Sequence, residues 1–472
     1  MAPSAKDKTP RKILDAVIDL CADCDTCRTL MDEDCAFFPE LYRLWDQEKE
    51  EGIPINDEQV RHLTDLCTLC GLCPCPRIPM DIIEAKSRYI EKEGLPLATR
   101  LITDVPRMAR LCGTLPRLVD ALRSSKTFGA LLRKAIRLHP ERDLPAFAKE
   151  NFFQWAEKRD LNRRREGQAS IAYFAGCTAG YLFPEIGRAL VEVLERSGVS
   201  VHVPSQKCCG MPHLVEGERD KTLACAGANM ESLLQAIDGG DDVVCSCPTC
   251  GFFFKDLLKE RAVYSEAYQQ SVDAGADELK VPETVRDHEK HKVLKKSMYR
   301  HILKDDGYFS SLDPMKRLAV AAHTFDAGEY LARLHGEGRL NVDFQPLAQR
   351  LVYFAPCHQR EQRMGRPYLE LLALIPKLRV EEVGESECCG MGGNFGYKAG
   401  FHETSLELGR PLLEKIRKRN PQAIITDCMS CRLQFGHVLP YPVFHPLEII
   451  ARAYSAAALP ARENSPAEDR EA

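Results

Sequence analysis

Two sets of five cysteines recur in the chain, 180 or 181 positions apart. The first is Cys177, Cys208, Cys209, Cys247 and Cys250; the second is Cys357, Cys388, Cys389, Cys428 and Cys431. Each set reads Cys, a long gap, Cys-Cys-Gly-Met, a second long gap, then Cys-x-x-Cys. A duplication that keeps five thiols at matching places is holding something that binds sulfur, and thiolates are the standard ligands of iron–sulfur clusters. Five thiolates exceed the four that a cubane or a zinc ion takes. Adjacent Cys208 and Cys209 cannot both face one small tetrahedral ion without strain, whereas they can reach different irons of a larger cluster. Gly210 and Gly390 follow the paired cysteines and allow backbone conformations that a side chain forbids; an ordinary tight turn is the competing reading of them.

The segments between these cysteines set the expected fold. In the first repeat, strands are predicted over 171–177, 199–203 and 242–247, with helices over 184–197 and 221–237. In the second, strands are predicted over 351–357, 378–383 and 423–428, with helices over 366–374 and 403–419. Alternating strands and helices predict two parallel α/β modules related by internal duplication. Cysteines that follow strands lie beyond the carboxyl ends of the sheet, where such sheets place their sites. The expected division is 1–90 for a helical two-cluster region, 91–168 for a basic helical linker, and 169–260 for the first module. A helical inter-module segment at 261–349, a second module at 350–456 and a disordered tail at 457–472 complete it.

The amino-terminal region carries its own cysteines. Cys21-x2-Cys24-x2-Cys27 is followed by Cys35, and Cys67-x2-Cys70-x2-Cys73 by Cys75. Two runs of three at this spacing match the bacterial ferredoxin pattern for two [4Fe–4S] cubanes, in which the fourth ligand comes from the other run. On that rule Cys75 completes Cys21, Cys24 and Cys27, and Cys35 completes Cys67, Cys70 and Cys73. The spacing departs from the pattern before Cys35 and before Cys75, so these fourth ligands are the weaker part of the reading. Structural zinc in four-cysteine sites is the alternative, although zinc usually takes separated Cys-x-x-Cys pairs.

Composition narrows the class. Twenty-one cysteines in 472 residues could build a secreted disulfide scaffold. The polar start of the chain lacks a secretory signal, the length supports a core of its own, and the spacings are those of metal ligands. A reducing cytoplasm is the expected compartment. No run approaches the roughly 18 apolar residues that cross a bilayer. The balance of 64 basic against 69 acidic residues points to no particular partner, and nothing indicates nucleic acid. One local imbalance stands out: residues 100–166 carry 16 Lys and Arg against 8 Asp and Glu. With Leu118, Leu122, Leu131, Leu132, Ala135 and Ile136 near one helical face, this stretch reads as a solvated linker or as a surface that docks on a partner or an anionic membrane.

Phe174-Ala-Gly-Cys177, Cys208-Cys-Gly-Met-Pro212, Pro356-Cys-His358, Cys388-Cys-Gly-Met-Gly-Gly393 and Thr426-Asp-Cys-Met-Ser-Cys431 resemble the cysteine-rich "CCG" family of iron–sulfur oxidoreductase subunits. That family includes subunits of heterodisulfide reductase, of glycolate and lactate oxidation, and of anaerobic glycerol-3-phosphate dehydrogenase. The resemblance covers nearly the whole chain and implies electron transfer from a flavoprotein dehydrogenase partner toward quinone or another carrier, with peripheral membrane association as an option. It also implies that the ten repeated cysteines hold one or two further iron–sulfur clusters, noncubane in heterodisulfide reductase. The cluster type is not readable from spacing. A catalytic subunit that reduces a disulfide at such a cluster is the alternative function. No Gly-x-Gly-x-x-Gly follows a strand, so the flavin is expected on another chain, and no independent substrate site is expected here.

Several residues are set aside. His358 follows Cys357 where Thr178 follows Cys177, and His213 has Gly393 as its counterpart; neither histidine is duplicated, so both are read as polar support and not as ligands. Cys112, Cys225 and Cys245 have no partner in the repeat and are read as spare thiols. The glycine-rich loop 390–396 is read as a source of amides for cluster sulfurs.

Overall fold

Apolar residues at helical spacing open the chain: Ile13, Leu14, Val17, Ile18 and Cys21 line the buried side of helix Pro10–Cys24. The Thr9 hydroxyl caps it by accepting from the Lys12 amide at 3.3 Å. The computed structural model describes residues 9–455 apart from 76, 115–128, 131–132, 135–136, 143–144, 146, 166, 168, 284–289 and 301. Helices Phe37–Glu51, Asp57–Leu66 and Arg77–Glu93 join the first helix around Leu14, Phe37, Phe38, Leu41, Leu63 and Ile82. The cysteine runs are the connections of this all-helical unit.

The basic stretch forms helices Leu97–Thr103, Val105–Thr114 and Phe152–Lys158. The six positions expected to make its apolar face lie outside the described residues, as does the 457–472 tail. Two residues tie the stretch to the second module. Leu138 forms an antiparallel bridge with Lys398. Buried Arg142 donates to Gly396 O at 2.8 Å, Gln434 Oε1 at 2.6 Å and Ser405 Oγ at 2.9 Å.

The first repeat supplies β1 (Ser170–Phe174), β2 (Ser200–His202) and β3 (Asp242–Cys245). An insertion then carries the antiparallel hairpin β4 (Glu278–Pro282) and β5 (His291–Lys295) before β6 (Thr324–Asp326) returns to pair with β3. The second repeat supplies β7 (Arg350–Tyr353), β8 (Arg379–Glu382), β9 (Ala423–Ile425) and β10 (Val443–Phe444). The sheet orders are β2-β1-β3-β6 and β8-β7-β9-β10, parallel throughout. The two modules therefore share one topology, with an insertion in the first.

This corrects the reading of 261–349 as helical, because that segment holds a hairpin and the fourth strand of the first sheet. β6 is three residues long and buried along its length, too short to show an alternating pattern. Asp326 ends it and caps helix Ala327–Gly336, in a capping box with Glu329. His445 follows β10 and caps helix Pro446–Ala453 with Glu448 in the same way. Strand, cap and helix thus belong to the repeat.

The modules join by exchanging helices. Helix Pro184–Arg196 of the first packs on Pro446–Ala453 of the second, and Ala327–Gly336 packs on Pro367–Ala373. Leu190, Leu331, Leu372, Leu447 and Ile450 are buried in one core common to both modules. Each such side chain contributes about 1.5–3 kcal/mol relative to exposure, so the seam is a core, not a flexible hinge. Among the described residues, no helix is long and apolar enough to cross a membrane.

Candidate iron–sulfur sites

The ends of the parallel strands place the ten repeated cysteines. Cys177 follows β1, Cys247 follows β3, Cys357 follows β7 and Cys428 follows β9, so each is delivered at the carboxyl edge of its sheet. The two edges face each other. All ten cysteines line one cavity of about 150 Å³, which Ile102 and Val105 of the linker helices help to close. Neither set was expected to share its cavity with the other.

Within the first set, the Cys177 and Cys209 thiols both donate to the Cys208 sulfur, which with the Gly210 amide holds Cys208 well below the ordinary thiol range. Cys247 is drawn down to about 6, first by the Cys250 thiol and then by backbone amides and the Thr178 hydroxyl. In the second set the Cys388 and Cys431 thiols, aided by the Met391 amide, lower Cys389 in the same manner. Cys431 Sγ and Cys389 Sγ are 3.1 Å apart, and the Gly390 amide lies 3.3 Å from Cys388 Sγ. Cys357 is pushed well up, by burial first and then by the charges of Cys70 and Cys428. Buried sulfurs packed this closely repel one another once ionised, and a polynuclear cation relieves that repulsion.

The two glycines after the cysteine pairs are not equivalent. Both have positive φ, +110° at Gly210 and +83° at Gly390. A Cβ at Gly390 would lie 1.9 Å from Ser405 O, whereas at Gly210 the nearest atoms are 3.3 Å away. Of the loop 390–396, the amides of Gly390 and Met391 reach cysteine sulfur.

The amino-terminal cysteines fall into two quartets. In the outer one, burial raises Cys21 to about 12, and the charges of Cys27, Cys75 and Cys24 add to it. Burial followed by Cys75 and Cys24 likewise raises Cys27. Cys24 is lowered by the Thr26 hydroxyl and amide, with Sγ 3.2 Å from Thr26 Oγ1. Cys24 and Cys75 are both exposed. In the inner quartet, Cys35, Cys67 and Cys70 are raised to about 11, 11 and 12, in each case by burial first. Cys73 is raised by burial and then by Cys70, Cys67 and Cys35. The Phe37 amide donates to Cys35 Sγ at 3.3 Å. These four cysteines line a cavity of about 40 Å³ together with Cys388 of the second module. Cys75 is thus brought beside Cys21 and Cys27, and Cys35 beside Cys67, Cys70 and Cys73.

All eighteen of these cysteines are free thiols. The donor set suits iron–sulfur clusters: it is all sulfur, it is confined, and it has amide hydrogens aimed at sulfur. Of the residues set aside, Cys245 is buried at the end of β3, and Cys225 is raised to about 11 by burial and then by the charge of Cys208. The side chain of Cys112 lies outside the described residues. His213 binds Glu218 through Nδ1 at 2.8 Å. Three residues that the sequence did not single out belong here. Thr178 Oγ1 lies 3.8 Å from Cys247 Sγ and 3.7 Å from Met429 Sδ, and Thr249 hydrogen-bonds to His358. Their only signal in the sequence is adjacency to a ligand-spaced cysteine.

His139, His402 and Glu403 also approach one another. The two rings stack at 3.6 Å with 7° between planes. Their in-plane lone pairs therefore run parallel and do not converge on one ion.

Comparison with protein families finds the cysteine-rich domain, CCG, twice, over residues 171–255 and 351–436. Both spans stop short of the fourth strand of their sheet. An iron–sulfur-type relative, one of the subunits of anaerobic glycerol-3-phosphate dehydrogenase from Escherichia coli, is 26% identical over 375 residues, covering 79% of this chain and 81% of that protein. One of the subunits of fumarate reductase (CoM/CoB) from Methanothermobacter marburgensis is 28% identical over 294 residues, 60% of this chain and 46% of the relative. Lactate utilization protein A of Bacillus pumilus is 24% identical over 288 residues, 59% of this chain and 98% of the relative.

Proposed function

We propose that this chain, which carries two tandem cysteine-rich (CCG) domains, is the iron–sulfur electron-transfer subunit of an oxidoreductase complex. It takes electrons from a flavoprotein dehydrogenase partner, of the glycerol-3-phosphate or 2-hydroxy acid type, and passes them toward quinone or another acceptor. The observation that carries this is the order of the thiol sets. An exposed quartet leads to a buried quartet, which shares a cavity wall with the second module, which in turn faces the first. Electron transfer falls steeply with distance, so a chain that must carry electrons inward needs this kind of sequence.

In this reading the amino-terminal unit is a ferredoxin-like domain. Cys21, Cys24, Cys27 and Cys75 hold one [4Fe–4S] cubane, and Cys67, Cys70, Cys73 and Cys35 hold the other. The ten repeated cysteines hold one or two further clusters. When bound, such clusters supply reversible one-electron carriage. The protein's own work is to bind them, to exclude water from all but the outer quartet, and to aim amides at their sulfurs. The relatives support a subunit role, since two are named as subunits of a dehydrogenase and a reductase. The chain acts in the cytoplasm, with docking at the inner face of the membrane as the site of quinone reduction.

Anaerobic purification with iron and acid-labile sulfide assays, followed by electron paramagnetic resonance after dithionite, tests the reading. Iron and sulfide in excess of two cubanes, and co-purification of a flavoprotein, are expected. A colourless zinc protein overturns it. So does sustained turnover of thiol–disulfide substrates by the isolated chain.

A further inference from the structure

His358 touches three cysteine loops at once. Its Nε2 lies 2.9 Å from the carbonyl oxygen of Leu69, between Cys67 and Cys70. Its Nδ1 lies 2.9 Å from Thr249 Oγ1, between Cys247 and Cys250. Its own backbone continues from Cys357. A carbonyl can only accept, so Nε2 carries the hydrogen and Nδ1 accepts from the Thr249 hydroxyl. The ring stacks on Phe252 with 4.9 Å between centroids and 21° between planes. Gln362 Nε2 donates at 3.1 Å to both His358 O and Pro248 O, which fixes the same junction from behind. Every polar atom of the ring is used, and the tautomer is set by its partners.

The two modules stand differently toward the inner amino-terminal quartet. The second is its direct neighbour: Cys388 lines the same cavity as Cys35, Cys67, Cys70 and Cys73, and the charge of Cys70 acts on Cys357. The first module meets the Cys67–Cys70 loop through the hydrogen-bonded path Leu69 O, His358, Thr249. A second connection runs between the modules, from Met429 Sδ through Thr178 Oγ1 to Cys247 Sγ, at 3.7 and 3.8 Å. It depends on two weak sulfur acceptors, whereas the His358 path is made of two short bonds between strong partners.

We propose that His358 is a positioning residue that opens a direct electron path from the inner amino-terminal centre to the first module, bypassing the second. The inference rests on the relay reading above. One electron leaves the inner centre, which is oxidised, and arrives at the first-module centre, which is reduced. His358 keeps its hydrogen on Nε2 and changes neither charge nor tautomer.

The test uses the full, cluster-loaded chain and freeze-quench electron paramagnetic resonance during reduction. Signals are assigned to each module with Cys177→Ser and Cys357→Ser. His358→Phe keeps the stack on Phe252 and removes both hydrogen bonds; Thr249→Val removes the donor to Nδ1 while keeping its shape. Both are expected to delay the first-module signal by about 10-fold or more and to leave the second-module signal at its original rate. A general loss of structure would move both signals together. Unchanged first-module kinetics in both variants at wild-type iron content overturn the proposal, as does a delay produced by Thr178→Ala in place of either. If His358→Phe binds less iron, Thr249→Val decides. A wild-type chain that takes up no iron instead defeats the relay reading itself.

Discussion

His445 Nε2 lies 2.9 Å from the carbonyl oxygen of Ser246, across the seam between the modules and one residue from Cys247. Nδ1 of the same ring accepts the Leu447 amide at 3.1 Å and so caps helix Pro446–Ala453. The neutral ring, hydrogen on Nε2, satisfies both partners. A second proton on Nδ1 would break the cap and bury a charge.

Burial pushes the pKa of His445 down to about 3 from its ordinary 6.5. The neutral form is the native one, so this contribution is intact above pH 6.5. It is lost progressively below pH 6.5, as the unfolded chain binds a proton that the folded chain refuses. Linkage makes the loss about 2 kcal/mol at pH 5. His445→Asn keeps a capping acceptor without a titrating group. Unfolding followed at pH 7.5 and pH 5 is expected to show the wild type losing more stability than the variant over that interval. Parallel losses would remove His445 from the account.

The paired-cysteine turns make a second prediction, because their glycines differ in surroundings and not in sequence. Gly210→Ala meets its nearest atoms at 3.3 Å and bears mainly the strain of positive φ, about 1–2 kcal/mol. Gly390→Ala drives a Cβ to 1.9 Å from Ser405 O, and helix His402–Arg419 would have to move. The first variant should retain iron in both modules. The second should lose the second-module centre, read as iron content and as the missing paramagnetic signal.

Much of this was legible in the chain, and what was not has physical reasons. A run such as Ile171 to Phe174 is long and apolar enough to announce a buried parallel strand, and a thiol at fixed spacing announces a ligand. The three residues of β6 announce nothing by periodicity, yet Asp326 and Glu329 spell a capping box that marks where β6 must stop. The connecting role of His358 leaves no trace in the duplication. Repetition selects ligands, which both modules need. It discards a residue whose task is to connect unlike neighbours, and Thr178, the counterpart of His358, faces Met429 instead of the amino-terminal unit. The shared cavity was invisible for a related reason: the packing of one sheet edge against another depends on the exchanged helices, which no local pattern records.

The amino-terminal quartets give a third prediction. The charge of Cys75 acts on Cys21 and Cys27, and that of Cys35 on Cys70 and Cys73. Cys75→Ser should therefore alter or remove the same signal as Cys24→Ser, at a loss of at most about four irons. Cys35→Ser should act on the signal that Cys67→Ser removes. Iron analysis with redox-titrated paramagnetic resonance separates the two. A Cys75→Ser variant that disturbs only the Cys67 signal would reverse the assignment.

Arg142 supplies the last prediction, because it connects the linker to the second module's cysteine loop. Its guanidinium donates to Gly396 O, His402 Nδ1, Gln434 Oε1 and Ser405 Oγ and is buried among them. Gly396 closes the loop whose first two amides, those of Gly390 and Met391, reach the sulfurs of Cys388 and Cys389. Arg142→Met keeps much of the side-chain volume and removes every donor. Leaving those acceptors unpaired in a buried site costs about 3 kcal/mol or more, whereas exposed Arg417→Met is expected within about 0.5 kcal/mol of wild type. Stability alone does not test the link to the cysteines; the redox potential does. If the loop amides are held in place from Gly396, then in Arg142→Met they withdraw from sulfur, and the second-module potential falls, since fewer hydrogen bonds favour the oxidised, less negative cluster. The outer quartet, which makes no contact with this loop among the bonds described, should keep its potential. A destabilised variant with an unchanged second-module potential would confine Arg142 to folding.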